Sequence, residues 1–243
     1  SSAQFLIGKI YYDGKYVKSD IEKLFPYTSL SANQNNSEAF YYLGLFYYDN
    51  KYVKQDINKS VHYFTLSANQ NNSDAQYYLG LIYSYDKYMI QDINKSIHYF
   101  TLSANQNNSY AQYYLGLIYY ENKYVKQDIN KSIHYLTLSS NQNNSDAQFC
   151  IGLIYYENEY VKQDIKKSIH YFTLSADQNN SYAQYYLGLI YYKNKYVKQD
   201  INKSIRYFTL SANQNNSNAQ YLLGYIYFME IKVTKDIQKS LYY

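Results

Sequence analysis

Residues 109–144 read SYAQYYLGLIYYENKYVKQDINKSIHYLTLSSNQNN, and close copies of this stretch fill most of the chain. Glycine marks the copies, because seven of the eight glycines fall 36 residues apart. They are Gly8, Gly44, Gly80, Gly116, Gly152, Gly188 and Gly224. A fixed period of this size is typical of stacked helical repeats, in which each copy is one helix-turn-helix unit.

The period predicts the fold class and the domain organisation. We expect an all-α, right-handed α/α superhelical solenoid of about seven 36-residue helix-turn-helix repeats, forming one domain over residues 1–243. The repeats start near residues 1, 37, 73, 109, 145, 181 and 217. Both ends look truncated or atypical, because the chain opens at Ser1 without an initiator methionine and closes at Tyr243 partway through a copy. We therefore expect a fragment of a longer protein.

Each copy encodes two helices with recognisable ends. Ser109 and Gln112 match a capping box, which predicts that the first helix (the A helix) has Ser109 as its N-cap and Gln112 reaching back to it. Asp128 is the expected N-cap of the second helix (the B helix). We expect the B helix to end at Asn143, because asparagine is the commonest residue after glycine in a left-handed C-cap.

Three further features predict backbone and packing. The loop between the helices carries residues that tolerate positive φ, and only the last copy breaks this rule. The loop residues are Gly14, Asn50, Asp86, Asn122, Asn158, Asn194 and Glu230. Gly116 and its equivalents cost about 1 kcal/mol of helix propensity, so their recurrence predicts a close approach by a neighbouring helix. Pro26, inside the first B helix, predicts a kink or a late helix start.

The repeat resembles the Sel-1-like repeat family. In the fourth copy the residues that carry the resemblance are Leu115, Gly116, Tyr119, Val125, Asp128, Lys131, Ser132, Tyr135, Ser139, Ser140 and Ala147. The copy departs from the family pattern at Asn122, Tyr124 and Asn143, where the family favours glycine, and at Ser132, where it favours alanine. The resemblance covers essentially the whole chain. It implies an α/α superhelix that acts as an adaptor or scaffold in protein complexes.

A second apolar stripe lies on the A helices, opposite the stripe of Ala111, Leu115 and Tyr119. It predicts a tyrosine-lined concave face that binds a peptide or a partner helix, because tyrosine gives a large contact area at low entropic cost. We call this stripe the ladder, and its residues are Tyr41, Leu45, Tyr48, Tyr77, Leu81, Tyr113, Leu117, Tyr120, Phe149, Leu153, Tyr156, Tyr185, Leu189 and Tyr192. The alternative is that the ladder packs between adjacent repeats, because a stacked unit buries its helix faces against its neighbours.

Composition and motifs argue against several other functions. The net charge is only +4 and no block of five like charges occurs, which argues against nucleic-acid binding. No apolar run approaches about 18 residues, so we expect no membrane insertion. A histidine recurs at residues 62, 98, 134 and 170. Equivalent residues of stacked repeats lie on the order of 10 Å apart, whereas Zn–N bonds are about 2 Å, so we expect no metal.

The chemistry-bearing motifs are missing from the sequence. We find no phosphate-binding glycine loop, no nucleophile elbow and no zinc-protease motif, so we expect no cofactor and no catalytic residue. The chain has one cysteine, Cys150, which excludes an intrachain disulfide. Together with the lack of a signal peptide or transmembrane segment in this stretch, that favours a cytoplasmic location.

These observations favour a non-catalytic scaffold or adaptor whose partners are other proteins. The middle copies are almost identical, which favours a repetitive or extended ligand over one small-molecule pocket. Two alternatives stay open. One is a structural spacer or arm within a large assembly, and the other is a regulatory repeat region of a larger enzyme.

Overall fold

The computed structural model describes residues 21–49, 53–84, 90–121, 123, 125–157, 159 and 161–229. These residues form twelve α-helices and no strand. The B helices are α1 (Ile21–Ala32), α3 (Ile57–Ala68), α5 (Ile93–Asn105), α7 (Ile129–Ser140), α9 (Ile165–Asp177) and α11 (Ile201–Ala212). The A helices are α2 (Ser37–Tyr48), α4 (Ser73–Ser84), α6 (Ser109–Tyr120), α8 (Ser145–Tyr156), α10 (Ser181–Tyr192) and α12 (Ser217–Met229). The predicted all-α solenoid of helix-turn-helix repeats is confirmed.

The chain divides into two compact units. The first comprises Ser1–Ile118 and Lys123–Val125, and the second comprises Tyr119–Asn122 and Lys126–Tyr243. Within each unit, A helices pack against the B helix of their own repeat, as α2 packs on α3 and α8 on α9, and B helices pack against the A helix that follows. One domain over residues 1–243 stays a prediction.

The B helices begin as the sequence predicts. Asp56 has extended backbone geometry, and its carboxylate accepts a hydrogen bond from the backbone N–H of Lys59 at 3.0 Å. The other described repeats have the same cap at Asp92, Asp128, Asp164 and Asp200. The equivalent residues Asp20 and Asp236 lie outside the described residues. An aspartate at this place satisfies a backbone N–H that has no partner inside the helix, and it opposes the positive end of the helix dipole.

The A helices begin one residue earlier than the sequence predicts, so the capping box with Ser109 as N-cap is wrong. The cap is the preceding asparagine, and the serine is the first helical residue. Asn108 Oδ1 accepts from the N–H of Ala111 at 3.0 Å. The same bond is made by Asn36, Asn72, Asn144, Asn180 and Asn216. Asparagine and serine cap about equally well, so the tertiary contacts of the serine decide between them.

Those tertiary contacts also occupy the glutamine that the sequence assigned to the box. Gln112 is buried, and its side-chain amide donates to the carbonyl of Ala104, at the end of the preceding B helix, at 3.2 Å. In the third repeat, Gln76 Oε1 also accepts from Gln106 Nε2 at 2.7 Å. The serine backbone is in use as well, because Ser103 Oγ donates to the carbonyl of Ser73 at 2.7 Å. The Ser-x-x-Gln pattern therefore ties helices to one another instead of closing one helix end.

A pair of substitutions separates the two capping schemes. We expect Asn72→Ala to lower the free energy of unfolding by about 1 kcal/mol, because it removes the acceptor for the Ala75 N–H. We expect Ser73→Ala to cost less than half as much, since the serine contributes through its backbone carbonyl. Urea unfolding followed by circular dichroism measures both. A larger loss of unfolding free energy for Ser73→Ala than for Asn72→Ala would show that the serine is the N-cap.

The predicted left-handed asparagines are confirmed, although helix α7 ends at Ser140, three residues before Asn143. Asn143 has φ of 61°, and the equivalent asparagines of the other described junctions have φ between 60° and 67°. They are Asn35, Asn71, Asn107, Asn179 and Asn215. The prediction for the A–B loop is wrong at Asn194, which is not among the described residues of positive φ. Its Oδ1 instead accepts from the backbone N–H of Gln199 at 3.2 Å. The remaining loop positions of that prediction lie outside the described residues.

The glycine of each A helix packs directly on the B helix of the same repeat. A Cβ added to Gly80 would lie 2.5 Å from Cδ1 of Phe100, a distance that real Cβ atoms do not adopt. Gly44, Gly152 and Gly188 stand in the same relation to Phe64, Phe172 and Phe208. In addition, the Gly80 carbonyl accepts a hydrogen bond from Ser96 Oγ at 2.8 Å. The predicted close helix approach is confirmed in these four repeats.

Pro26 does not interrupt the first described B helix. The helix α1 spans Ile21–Ala32 with Pro26 inside it. Two residues later, Thr28 Oγ1 donates to the carbonyl of Leu24 at 2.8 Å, within a buried part of the helix. Helix α1 thus matches α3 in length and position, which excludes a start later than Ile21.

Candidate functional site

The ladder residues occupy the fifth, ninth and twelfth positions of the A helices. All fourteen are half-buried, so none is fully packed away and none is fully exposed. Neighbouring positions on the same helices are buried, for example Leu79 and Ile82 beside Tyr77. The ladder therefore lies at the margin of the core, with one part of each side chain packed and another part open to solvent.

In the first unit the packed part contacts both the same repeat and the next. The Tyr77 ring centroid lies 6.1 Å from that of Phe100, on the B helix of its own repeat. It lies 5.9 Å from Tyr110 and 6.0 Å from Tyr114, both on the following A helix. Tyr41 makes the equivalent contact to Tyr78 at 6.0 Å. These tilted arrangements fall in the range preferred by aromatic pairs.

The second unit repeats this geometry. Phe149 lies 5.8 Å from Phe172 of its own repeat, and 5.8 Å from both Tyr182 and Tyr186 of the next. Tyr156 packs edge-on against Tyr186 at 5.6 Å. The ladder thus links successive repeats within each unit, as its packing alternative predicts, while each of its residues keeps accessible surface.

Tyrosine phenols are neutral at neutral pH, and burial makes four of the ladder phenols still harder to ionise. Burial raises the pKa of Tyr77 strongly, and nearby tyrosines raise it further. Burial also raises the pKa values of Tyr156, Tyr185 and Tyr192. A neutral phenol both donates and accepts hydrogen bonds, so the ladder presents apolar rings with polar rims.

Two tyrosines that the ladder prediction omitted lie beside the ladder and are more exposed than any of its fourteen residues. Tyr110 is 59% exposed and Tyr182 is 61% exposed. Each stands at the second position of its A helix, on the side of the ladder, against Tyr77 and Phe149 respectively. The signal was present in the sequence, because this position alternates between acidic residues and tyrosine along the middle repeats. In the repeats with an acidic residue at this position, the carboxylate instead accepts a hydrogen bond from the next repeat. Asn108 Nδ2 donates to Asp74 Oδ1 at 3.0 Å.

The repeated lysine and aspartate residues form surface clusters. Lys59 Nζ lies 3.8 Å from the carboxylate of Asp56 and 5.0 Å from the ring centroid of Tyr47. Tyr47 in turn stacks on Tyr63 with a centroid distance of 5.8 Å. Such exposed ion pairs contribute little to stability, whereas the lysine ammonium over the ring makes a cation–π contact. The arrangement recurs in several repeats, which is typical of structure and not of a catalytic site.

The described part of the chain offers neither a metal site nor an activated cysteine. No group of three histidine, cysteine, aspartate or glutamate residues there is placed to hold a metal ion. His62 and its three equivalents are exposed on the B helices, each beside the tyrosine that follows it, such as Tyr63. Burial raises the pKa of the Cys150 thiol to about 12. That thiol is protonated at neutral pH and is therefore a poor nucleophile.

Helix pairs of fixed length, a constant interface between them and a shared stripe along the A helices define an α-solenoid of the helical-repeat class. The family comparison agrees repeat by repeat. The Sel1 repeat model matches residues 1–36, 37–72, 73–108, 109–144, 145–180, 181–216 and 217–243. The chain therefore belongs to the Sel1 repeat family. Members of this family are commonly protein-interaction scaffolds and are typically non-catalytic.

Solved structures with the same architecture support this assignment. A protective antigen of uropathogenic Escherichia coli strains that displays an SLR fold is 28% identical, with a TM-score of 0.91 over 99% of this chain and 52% of its own. A Sel1 repeat protein from Oxalobacter formigenes is 31% identical, with a TM-score of 0.81 over 99% of this chain and 70% of its own. An immunity protein from Pseudomonas aeruginosa is 17% identical, with a TM-score of 0.53 over 87% of this chain and 81% of its own, and shows a likeness of fold alone.

The chain spans about half the length of the Escherichia coli antigen. No curated protein sequence matches it. Among the described residues, no helix has both the length and the apolar character that crossing a membrane requires.

Proposed function

We propose that the chain is a non-catalytic protein-protein interaction scaffold that binds a peptide or a partner helix along its tyrosine-rich ladder. The observation that carries this proposal is the half-buried state of all fourteen ladder residues, repeated from one A helix to the next. Packing holds one edge of each side chain in place. The other edge, which is open to solvent, is therefore already oriented for a partner. Preset side chains lose little conformational entropy when a partner binds.

The chemistry of the ladder suits a protein ligand. Tyrosine and phenylalanine rings supply large apolar contact areas, and the neutral phenols supply hydrogen bonds at the margin. Leucines such as Leu117 and Leu153 stand between the rings and are also half-buried. This combination favours an amphipathic helix or an extended segment, whose own side chains alternate between apolar and polar.

Tyr110 and Tyr182 give the sharpest test, because substituting Tyr77 or Phe149 would also disturb packing. We expect Tyr110→Ala combined with Tyr182→Ala to leave the fold intact and to weaken partner binding about tenfold or more, as exposed aromatic anchors dominate protein interfaces. Partners are captured from the native source by chemical cross-linking to the wild-type chain and identified by mass spectrometry. Affinity is then measured with the purified partner and each variant.

The matched control changes two apolar residues of similar position along the chain but outside the ladder. Leu102 and Leu174 lie on B helices and are 37% and 38% exposed. The double variant Leu102→Ala, Leu174→Ala should bind the partner as the wild type does. If both double variants bound the partner with the same affinity, the ladder would not be the binding surface. That result would favour a structural spacer within a large assembly.

A further inference from the structure

Charge is distributed unevenly between the two kinds of helix. The charged residues of the described A helices are all acidic, namely Glu38, Asp74 and Asp146, and all three are exposed. The B helices from α3 to α11 differ, because each carries a lysine and either a histidine or an arginine, as α3 does at Lys59 and His62. The A helices, which carry the ladder, are therefore the side of each repeat that favours a positively charged partner.

Two of these acids are held in place at the edge of the ladder. Asp74 and Asp146 stand at the second position of α4 and α8. Asn108 Nδ2 donates to Asp74 Oδ1 at 3.0 Å, and Asn180 Nδ2 donates to Asp146 Oδ1 at 3.0 Å. A carboxylate accepts several hydrogen bonds through its two oxygens. The bond from asparagine thus orients each carboxylate while the second oxygen can accept from another donor.

An exposed tyrosine lies at each of the same two junctions. Asn108 precedes Tyr110 by two residues, and the Tyr110 ring packs at 5.9 Å on Tyr77 of α4, the helix that carries the acid. In the second unit, Tyr182 packs at 5.8 Å on Phe149 of α8 in the same way. Tyr110 and Tyr182 are 59% and 61% exposed. Each junction therefore combines an oriented carboxylate from one A helix with an exposed aromatic ring from the next.

Neither helix capping nor internal ion pairing explains these acids. An acid in the first turn offsets the helix dipole, but α6 and α10 have tyrosine at the same position and are capped by the preceding asparagine all the same. The aspartates that cap B helices pair with lysines of their own helix, as Asp56 does with Lys59 at 3.8 Å. Within the described part of the chain, Asp74 and Asp146 have no such lysine.

A carboxylate beside an aromatic ring suits one kind of side chain. A lysine ammonium or an arginine guanidinium pairs with the carboxylate and also lies favourably over the ring. We propose that the partner of the ladder is a basic amphipathic segment, whose apolar side chains lie on the ladder and whose lysine or arginine binds where Asp74 meets Tyr110 or Asp146 meets Tyr182. This proposal rests on the proposed function, because it gives the chemistry of the partner that the ladder binds.

Three synthetic peptides test the preference for a basic partner. All three form the same amphipathic helix with leucine and tyrosine on the apolar face, and the polar face carries lysine, glutamine or glutamate. We expect the full chain to bind the lysine peptide about tenfold more tightly than the glutamine peptide, and the glutamate peptide most weakly. Fluorescence anisotropy measures the affinities, and added salt should narrow the differences. Equal binding of the three peptides, or binding of none, would overturn the proposal.

A matched pair of variants tests the two acids. In an Asp74→Asn background, Asp146→Asn removes the second acid of the ladder edge. Asp177→Asn in the same background removes an equal charge from an exposed aspartate at the end of the B helix α9. We expect the Asp146 variant to bind the lysine peptide about threefold or more weakly than the Asp177 variant does, with no difference for the glutamine peptide. The same affinity for the lysine peptide in both variants would contradict the proposed contact.

The variant that combines Tyr110→Ala with Tyr182→Ala separates this result from the proposed function. If it weakens the binding of every peptide while the aspartate variants do not, the ladder binds partners without regard to charge, and only the preference for a basic segment is overturned. If the aspartate variants weaken binding of the lysine peptide and the tyrosine variant does not, the acids act without the ladder, and both proposals fail. Circular dichroism melts check that each variant remains folded.

Discussion

Replacing Gly80 by alanine is expected to destabilise the protein by about 1–3 kcal/mol, although alanine is the better helix former. Helix propensity alone would stabilise the variant by about 1 kcal/mol. The added Cβ, however, would lie 2.5 Å and 2.6 Å from Cδ1 and Cε1 of Phe100. The Phe100 ring is fully buried and stacks on Tyr114 at 5.3 Å, so it has little room to move. Overpacking therefore outweighs propensity, and valine should cost more than alanine.

The unfolding midpoint in urea measures this effect, and a second substitution identifies its cause. The fourth repeat carries Leu136 where the second, third, fifth and sixth repeats carry phenylalanine, and Leu136 is fully buried. We expect Gly80→Ala combined with Phe100→Leu to be more stable than the two single losses added together, because the leucine frees space for the new methyl group. A stable Gly80→Ala single variant would show that close packing is not why glycine recurs at this position.

Truncating Phe172 to alanine is expected to cost about 3–5 kcal/mol, the largest effect of any substitution considered. Its ring is fully buried. It lies 5.8 Å from Phe149, 6.3 Å from Tyr156 and 5.3 Å from Tyr186. The change leaves a cavity where the B helix, its own A helix and the next A helix meet. Because each repeat contacts only its neighbours, unfolding should begin at this junction and lose cooperativity.

Thermal unfolding followed by circular dichroism, together with amide hydrogen exchange, locates the damage. Phe172→Leu is the control, since leucine occupies the equivalent position in the fourth repeat, and it should cost less than half as much as alanine. The exchange rates of α8, α9 and α10 should rise in Phe172→Ala before those of α12. Uniform loss of protection across the described helices would contradict nearest-neighbour cooperativity.

Local features of the sequence predicted local features of the structure well. The aspartate caps of the B helices and the left-handed asparagines at the junctions depend on residues within one helical turn, as Asp56 and Asn143 show. The described residues show the aspartate cap five times and the left-handed asparagine six times. Asn194 is the exception among these backbone predictions, because a side-chain bond to Gln199 holds its loop in another conformation.

Predictions that depended on a distant partner were less accurate. Ser109 and Gln112 have the spacing of a capping box, yet Asn108 caps the helix and Gln112 binds the carbonyl of Ala104. Two local schemes of similar free energy competed, and a buried glutamine that satisfies a helix end outside its own repeat decided between them. The ladder prediction omitted Tyr110 and Tyr182 for the same reason, because their exposure depends on how neighbouring repeats pack.

The amino-acid sequence by itself determined the period, the number of repeats, the two helices of each repeat and most of their caps. These follow from interactions between residues close in the chain, and a repeat multiplies the evidence for each. Only the tertiary structure decided that Gly80 makes room for a phenylalanine ring of its own repeat, and that the ladder is half-buried between neighbours. Such properties arise from contacts between helices, where a few tenths of an ångström change the sign of a free energy and no local pattern records the partner.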